Sequence, residues 1–275
     1  MKRKWLQVVG NFFKYIMENQ NEKLPNGMIL LKSKKGLDLL KAAQLKKENI
    51  IDNFKSQVGR SHCGVASLSL IANAINAYRV KLSDPDLSDG DYATLEDKLN
   101  KGEPLYLDEF DIINHGATKD YIKASNLSTS GLDLLQLKHI ASLLGYGANA
   151  YFVCNESLEM SQEKRSELSQ IVKANPDCLI LKSHGEFHKF VSSYIGRPAT
   201  GLILNYDMKK LGYEGLGGHH SPIGAVNNNS ILVMDVWVDT DPAWVDTKLL
   251  FEAACSIDSA TGLPRGLLHL SLIHI

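Results

Sequence analysis

Residues 57–70 read QVGRSHCGVASLSL, and this stretch predicts the start of a helix that carries a cysteine. Small residues follow Cys63, so side chains and backbones can approach it closely. Apolar residues then recur at spacings of three and four: Leu68, Ile71, Ala72 and Ile75. This periodicity indicates a helix with a buried face, so Cys63 is expected at a helix N-terminus, where unpaired N–H groups favour a thiolate. Taken alone, the local pattern favours a small cysteine that only packs there.

The length and amino-acid composition are those of a globular protein with a sizeable core. The chain has 275 residues, of which 44% are hydrophobic and 22% charged, and its formal net charge is -1. The net charge is not basic, so it gives no reason to expect a nucleic-acid partner. The four cysteines are scattered without a CxxC pair: Cys63, Cys154, Cys178 and Cys255. That spacing favours free thiols in a reducing, cytoplasmic compartment over a disulfide scaffold or a zinc ribbon.

Two segments are set apart from the rest of the chain. Residues 1–26 form a basic amphipathic arm and a linker, and residues 84–104 look like an exposed excursion. The arm is expected to be a terminal helix packed on the domain. Association of residues 1–17 with a membrane surface or an organelle stays open, and so does a homodimer. No apolar run approaches the ~18 residues of a membrane span.

Residues 27–275 are predicted to be one α+β domain, with a helical half at about 27–175 and a β half at about 176–272. Ser33–Gly36 are expected to form a turn before a short helix over residues 37–45. A later helix, capped within residues 130–133, is expected to bury Leu132, Leu135, Ile140 and Leu143. Beyond residue 176, short apolar runs split by Gly, Asn and Asp predict a mainly antiparallel sheet, with a hairpin turn at Asn227–Asn229. This is the layout of papain-like folds, whose site lies in the cleft between the halves.

A thiol nucleophile needs a base within hydrogen-bond reach and a third group to orient the base. His219 and His220 open one predicted strand, and Asp235 follows four apolar residues on the next. An acid at that position is costly to bury unpaired, so it is expected to pair with a histidine on the neighbouring strand. Because successive strand residues face opposite sides, only one of the two histidines is expected to point at Cys63. The amide of Gln57 is placed to stabilise an oxyanion beside the Cys63 N–H.

Five blocks of sequence, in order, resemble the phytochelatin synthase family. They are Gln57 with residues 63–67 (CGVAS), residues 218–224 (GHHSPIG), 232–236 (LVMDV), 242–245 (PAWV) and 257–266 (IDSATGLPRG). The resemblance covers about residues 27–272. It implies a papain-like cysteine fold and cleavage of glutathione before its glycine, through a γ-Glu-Cys thioester.

The resemblance also implies a role for each matching residue. Cys63 matches the nucleophile, His219 the general base and acid, Asp235 the orienting carboxylate, and Gln57 the oxyanion-hole glutamine. A second pair, Asp258 and Arg265, matches the groups that hold the γ-glutamyl head group; a structural salt bridge is the alternative reading.

The same resemblance bears on cofactors and on the acceptor of the acyl group. No cofactor is strictly required, and Cd or Zn would enter as a glutathione thiolate complex. The chain departs from the family at His62, usually tyrosine, and at Val238, commonly arginine; His220 takes a position that is Phe or Ile in the family. By similarity to the short bacterial members, hydrolysis to γ-Glu-Cys is expected to exceed transfer to a second glutathione.

Parts of the sequence are compatible with three other functions. A papain-like peptidase or deamidase acting on protein would use the same triad. A zinc hydrolase would use His184 and His188, which lie four apart but lack the zincin glutamate directly after the first histidine. A metal–thiolate binding protein would need more than four dispersed cysteines.

Overall fold

The computed structural model describes residues 24–83, 106–125, 127–214 and 217–272. The predicted N-terminal arm up to residue 23 and the predicted excursion at residues 84–104 lie outside these ranges. The helices are α1 (Lys34–Ala42), α2 (Glu48–Asp52), α3 (Cys63–Ser83), α4 (Glu109–Asn114), α5 (Lys119–Ala124), α6 (Leu134–Leu143), α7 (Gln162–Ala174), α8 (His184–Ile195) and α9 (Thr247–Ala254). The strands are β1 (Ile29–Leu30), β2 (Leu45–Lys46), β3 (Tyr146–Val153), β4 (Ile180–Leu181), β5 (Thr200–Asp207), β6 (Gly218–Asn227), β7 (Ser230–Val233), β8 (Ala243–Asp246) and β9 (Gly266–Leu272).

One sheet organises the described residues. Its strand order is β1-β8-β7-β6-β5-β9-β3-β4, and β2 pairs with β6 off this path. The pairs are antiparallel except β3 and β4, which run parallel. The α+β class and the mainly antiparallel sheet are therefore confirmed. The division near residue 175 describes chain order only, because β3 comes from the first half and joins the same sheet beside β9.

The central strands are buried on both faces, and alternate side chains enter different cores. On β5, Ile203 packs in the core that contains Leu68 and Ile71 of α3. Its neighbours Leu202 and Leu204 pack in the opposite core, with the helices α8 and α9. This arrangement explains why β5 reads as a continuous apolar run rather than as an alternating one.

Two helices differ from the sequence predictions. The predicted turn at Ser33–Gly36 is wrong, because the Ser33 side chain accepts a hydrogen bond from Gly36 N and caps α1, which already begins at Lys34. The predicted buried face of α6 is right at Leu132 and Ile140 and wrong at Leu135 and Leu143. Asp133 is the N-cap, within the predicted residues 130–133, and the buried residues of the helix are Leu134, Leu137, Ile140 and Ala141. Leu135 and Leu143 are only half-buried. Asp133 caps the helix because its carboxylate accepts from two free backbone N–H groups, those of Leu135 and Gln136.

The hairpin and the helix that carries the cysteine were predicted correctly. Asn228 has a φ of 46°, a left-handed conformation that asparagine adopts more readily than most residues, and it turns β6 into β7.

Among the described helices, none combines the length and the apolar character that crossing a bilayer requires.

Candidate active site

Cys63 is the first residue of α3, as the sequence predicts. The carbonyl oxygen of His62 accepts the first helical hydrogen bond, from Ala66 N, at 2.8 Å. The hydroxyl of Ser67 donates to the backbone oxygen of His220 at 3.0 Å, which ties the first turn of α3 to strand β6. The thiol is 8% exposed and therefore sits almost out of water at the positive end of a helix.

His219 of β6 and Asp235, two residues after the end of β7, form the predicted pair. The Nε2 atom of His219 lies 2.9 Å from Oδ1 of Asp235, and both side chains are buried. The carboxylate also accepts a hydrogen bond from Trp237 N at 3.0 Å and one from the Tyr206 hydroxyl at 3.4 Å. The rings of Tyr206 and Trp237 each meet the imidazole in a T-shaped contact, and both contacts restrict its rotation.

The ionisation of Cys63 is governed by its two histidine neighbours. Burial alone would raise the pKa of the thiol, but the charge and the hydrogen bond of His219, and then those of His220, bring it well below its ordinary value. Burial would lower the pKa of His219, yet the charge of Cys63 and the hydrogen bond to Asp235 raise it to about 10. The two shifts together favour a thiolate beside an imidazolium over two neutral groups.

The expectation that only one histidine meets Cys63 is wrong. The Nδ1 atom of His220 lies 3.9 Å from the Cys63 sulfur, and His219 interacts with the same sulfur. Strand alternation fixes only the direction of each Cβ, and an imidazole extends well beyond Cβ and turns about two torsions. Because the thiol lies at the start of β6, both rings reach it.

Gln57 lies beside the site, but its amide hydrogens are occupied. Its backbone N–H donates to Val236 O at 2.7 Å, which places the residue next to the segment that carries Asp235. Its Nε2 donates to the carbonyls of Gly59 and Arg60 at 2.7 and 3.0 Å. The Oε1 atom is buried without a partner among the described residues. The predicted oxyanion donor therefore points into its own loop in this structure.

His62, the residue before the cysteine, holds that loop. Its Nδ1 lies 2.8 Å from Oε2 of Glu109, and the other oxygen of Glu109 accepts from Val58 N at 2.8 Å. Glu109 is buried, so one carboxylate of α4 fixes both ends of the segment between Val58 and His62.

Asp258 and Arg265 form an ion pair with each other, which is the alternative reading of these residues, and Asn205 joins them. The Nη1 atom of Arg265 donates to Oδ2 of Asp258 and to Oδ1 of Asn205, each at 2.9 Å. The guanidinium is buried, and its Nε has no partner among the described residues. A pocket is lined by these three side chains together with Asp133 and Thr261, among others. It contains two carboxylates and one guanidinium, and this set of charged groups suits a zwitterionic head group.

The remaining histidines and cysteines of interest lie elsewhere. His184 and His188 start α8, and Nε2 of His188 lies 2.6 Å from the Asn228 carbonyl oxygen. Within the described ranges, no three His, Cys, Asp or Glu side chains form a group that could hold a metal ion. Burial raises the pKa of the other three thiols, in contrast to that of Cys63: Cys154, Cys178 and Cys255.

Sequence reasoning missed the contribution of Asn205. It interrupts the apolar run LILNY of β5, and a polar side chain in a fully buried strand needs a partner. This is the argument that identified Asp235, and it would have identified Asn205. Glu109 carried no such signal, because it lies in an amphipathic segment where an exposed glutamate is ordinary.

The fold and the site together define a class of α+β protein in which a buried cysteine at a helix N-terminus lies beside two histidines, one of them paired with an aspartate. A family model described as phytochelatin synthase matches residues 19–267. The chain belongs to the phytochelatin synthase family.

Curated relatives agree with this assignment over part of their length. A glutathione gamma-glutamylcysteinyltransferase from Schizosaccharomyces pombe is 38% identical over 101 residues, which are 36% of this chain and 24% of that protein. Glutathione gamma-glutamylcysteinyltransferase 1 from Arabidopsis thaliana is 32% identical over 132 residues, 44% of this chain and 27% of the relative. The chain thus matches about a quarter of the length of these relatives.

Among solved structures, the peptidase domain of Streptococcus ComA, a bi-functional ABC transporter involved in a quorum-sensing pathway, aligns with 80% of this chain and 98% of its own. The TM-score is 0.38 and the identity 11%.

Proposed function

We propose that the protein cleaves the Cys–Gly bond of glutathione by attack of the Cys63 thiolate on the carbonyl carbon of the cysteine residue. His219 gives its proton to the glycine nitrogen, glycine leaves, and a γ-Glu-Cys thioester remains on Cys63. Asp235 keeps the proton of His219 on Nε2 and thereby aims Nδ1 at the reacting atoms. The observation that carries the proposal is the geometry of the site, in which the buried Cys63 starts a helix and the Nε2 atom of the buried His219 lies 2.9 Å from Asp235.

Substrate choice is assigned to the pocket around Arg265. The α-carboxylate of a γ-glutamyl group would accept from the guanidinium, whose Nε is buried without a partner among the described residues. The α-ammonium would pair with Asp258, and Asp133 lines the same pocket. A head group with both charges fits these carboxylates and this guanidinium better than an ordinary peptide side chain does, which supports glutathione over a protein substrate.

Gln57 is proposed as an oxyanion donor that acts after a local change. One of its two Nε2 hydrogen bonds, to Gly59 or Arg60, must be released before the amide can donate to an oxyanion. The unpartnered Oε1 favours such a rearrangement, because a rotated amide could satisfy it. The backbone N–H of Cys63, at the first position of α3, supplies the second donor.

Water is proposed as the main acceptor of the acyl group, with weak transfer to the amino group of a second glutathione. Val238 supports this, since it is 63% exposed near Asp235 and replaces an arginine common in the family. An arginine there would offer a bidentate site to the carboxylate of an acceptor peptide, and valine does not. Cd or Zn would take part as the thiolate complex of the substrate.

The test is to incubate the protein with glutathione, with and without Cd or Zn, and to quantify glycine, γ-Glu-Cys and phytochelatin. We expect glycine and γ-Glu-Cys in equal amounts and a γ-Glu-Cys adduct on Cys63 by mass spectrometry. Cys63→Ala should abolish glycine release while the urea unfolding midpoint changes little. Casein cleavage without glycine release from glutathione would contradict the proposal, and an excess of phytochelatin would contradict its hydrolytic part.

A further inference from the structure

A second imidazole lies against the Cys63 sulfur. His220 is 2% exposed, its Nδ1 is 3.9 Å from Sγ, and its backbone oxygen is held by Ser67 of α3. The proposed mechanism uses one histidine, so the second requires its own account.

The hydrogen bonds around His220 fix which ring nitrogen carries the proton. A guanidinium only donates, so Oδ1 of Asn205 must be the atom that accepts from Arg265, at 2.9 Å. The other end of the amide, Nδ2, then faces Nε2 of His220 at 2.6 Å and donates to it. The Nε2 atom is therefore the acceptor, and the proton of the neutral ring lies on Nδ1.

The two histidines consequently hold opposite tautomers. The carboxylate of Asp235 only accepts when ionised, so the proton of neutral His219 lies on Nε2 and its Nδ1 is free to take a proton. In His220 the Nδ1 already carries the proton and faces the sulfur. His219 can act as a base toward Cys63, whereas His220 can only donate to it.

We propose that His220 is a second catalytic histidine, which donates its Nδ1–H to the Cys63 thiolate. Asn205 is a positioning residue that sets the tautomer, and Arg265 sets the orientation of Asn205. The proposal builds on the nucleophilic role of Cys63 proposed above. It also links the pocket to the nucleophile, because the guanidinium that orients Asn205 is the one assigned to the substrate carboxylate.

The family residue at this position provides a matched variant. His220→Phe removes the donor but keeps a ring of similar size, and His220→Asn keeps an N–H near the position of Nδ1. A hydrogen bond to a charged partner is among the stronger ones in proteins, so its loss should reduce the thiolate population about tenfold on the acidic side of the titration. That corresponds to a rise of about one pH unit in the midpoint.

The first experiment measures alkylation of Cys63 by iodoacetamide against pH, with peptide mass mapping to separate it from the other three cysteines. We expect the midpoint to rise by about one pH unit in His220→Phe and to be largely restored in His220→Asn. Urea unfolding checks that both variants are folded. An unchanged midpoint in folded His220→Phe overturns the proposal, and so does an equal rise in both variants, which would indicate packing alone.

The second experiment reads the tautomer directly. Nitrogen-15 NMR of the full chain with labelled histidine should show one ring, missing from the His220→Phe spectrum, with Nδ1 protonated and Nε2 bare. Asn205→Leu should release this preference. A ring protonated on Nε2 in the native chain refutes the proposal. Neither experiment uses glutathione, so failure to cleave glutathione would count against the proposed function and leave this result standing.

Discussion

Replacing Asp235 with asparagine tests the ion pair at the centre of the site. The change removes one buried charge that lies 2.9 Å from Nε2 of His219 and keeps the size of the side chain. A hydrogen bond to a charged group contributes about 1.5–3 kcal/mol, which corresponds to about one to two pKa units. The pKa of His219, now about 10, should therefore fall to roughly 8–9.

The sign of the pH effect follows from the direction of each shift. The pKa of His219 is raised from 6.5, so its stabilising contribution is complete below pH 6.5 and is lost as the pH rises through about 10. The pKa of Cys63 is lowered, so the thiolate persists until the pH falls well below the ordinary value for a thiol. Weakening the imidazolium lowers the pH at which activity is lost on the alkaline side and raises the pH at which it is lost on the acid side. The pH range of activity therefore becomes narrower.

The assay follows glycine release from glutathione and alkylation of Cys63 across the pH range. In Asp235→Asn we expect a loss of about 10²–10⁴ in kcat/KM at neutral pH, because the general base loses both its orientation and its partner charge. Asp246→Asn is the matched control. Asp246 is an exposed N-cap of α9, and asparagine caps a helix as well as aspartate does. A pH profile of Asp235→Asn that coincides with that of the control would refute the reasoning.

Two further predictions concern the pocket and the core. Arg265→Lys keeps a donor for Asn205 but loses the planar fork, so KM for glutathione should rise about 10–100-fold with a smaller change in kcat; an unchanged KM would remove Arg265 from substrate binding. In Gly201→Ala the new Cβ would lie 2.5 Å from Cγ2 of Ile71, and urea unfolding should show a loss of about 1–3 kcal/mol. Gly185→Ala, with open space around its Cβ, is the control and should be neutral or slightly stabilising; equal effects in both variants would contradict the packing argument.

The parts of the site predicted correctly are those governed by strong local rules. The helical period placed Cys63 at the N-terminus of α3, and the cost of an unpaired buried acid placed Asp235 beside a histidine of the neighbouring strand. The choice of His219 came from the family resemblance. Both arguments depend on residue type and spacing, which the sequence states directly. The head-group role of Asp258 and Arg265 came from the family resemblance rather than from any local pattern, and it stays a prediction.

The parts predicted wrongly depend on geometry that spacing does not contain. Ser33 caps a helix at a place where a turn is equally plausible from the sequence. The cap of α6 lies within the predicted residues 130–133, but Leu134 and Leu137 are buried where Leu135 and Leu143 were expected. The donors of Gln57 are taken by carbonyls of its own loop, which residue spacing does not show. Likewise, the contact of His220 with the thiol depends on where α3 meets the start of β6.

The pairing of β3 with β9 has a consequence for the unfolded and newly made chain. Tyr146 is opposite Leu272 in the register, so this part of the sheet closes only after very distant segments have met, a topology associated with slow folding. His219 and Asp235 likewise reach Cys63 only across a long stretch of chain. Until those contacts form, the cysteine is an ordinary, protonated thiol at neutral pH. Cys63 in the newly made chain therefore has only the small thiolate fraction of an ordinary cysteine, and its pKa falls once folding has brought the two histidines to it.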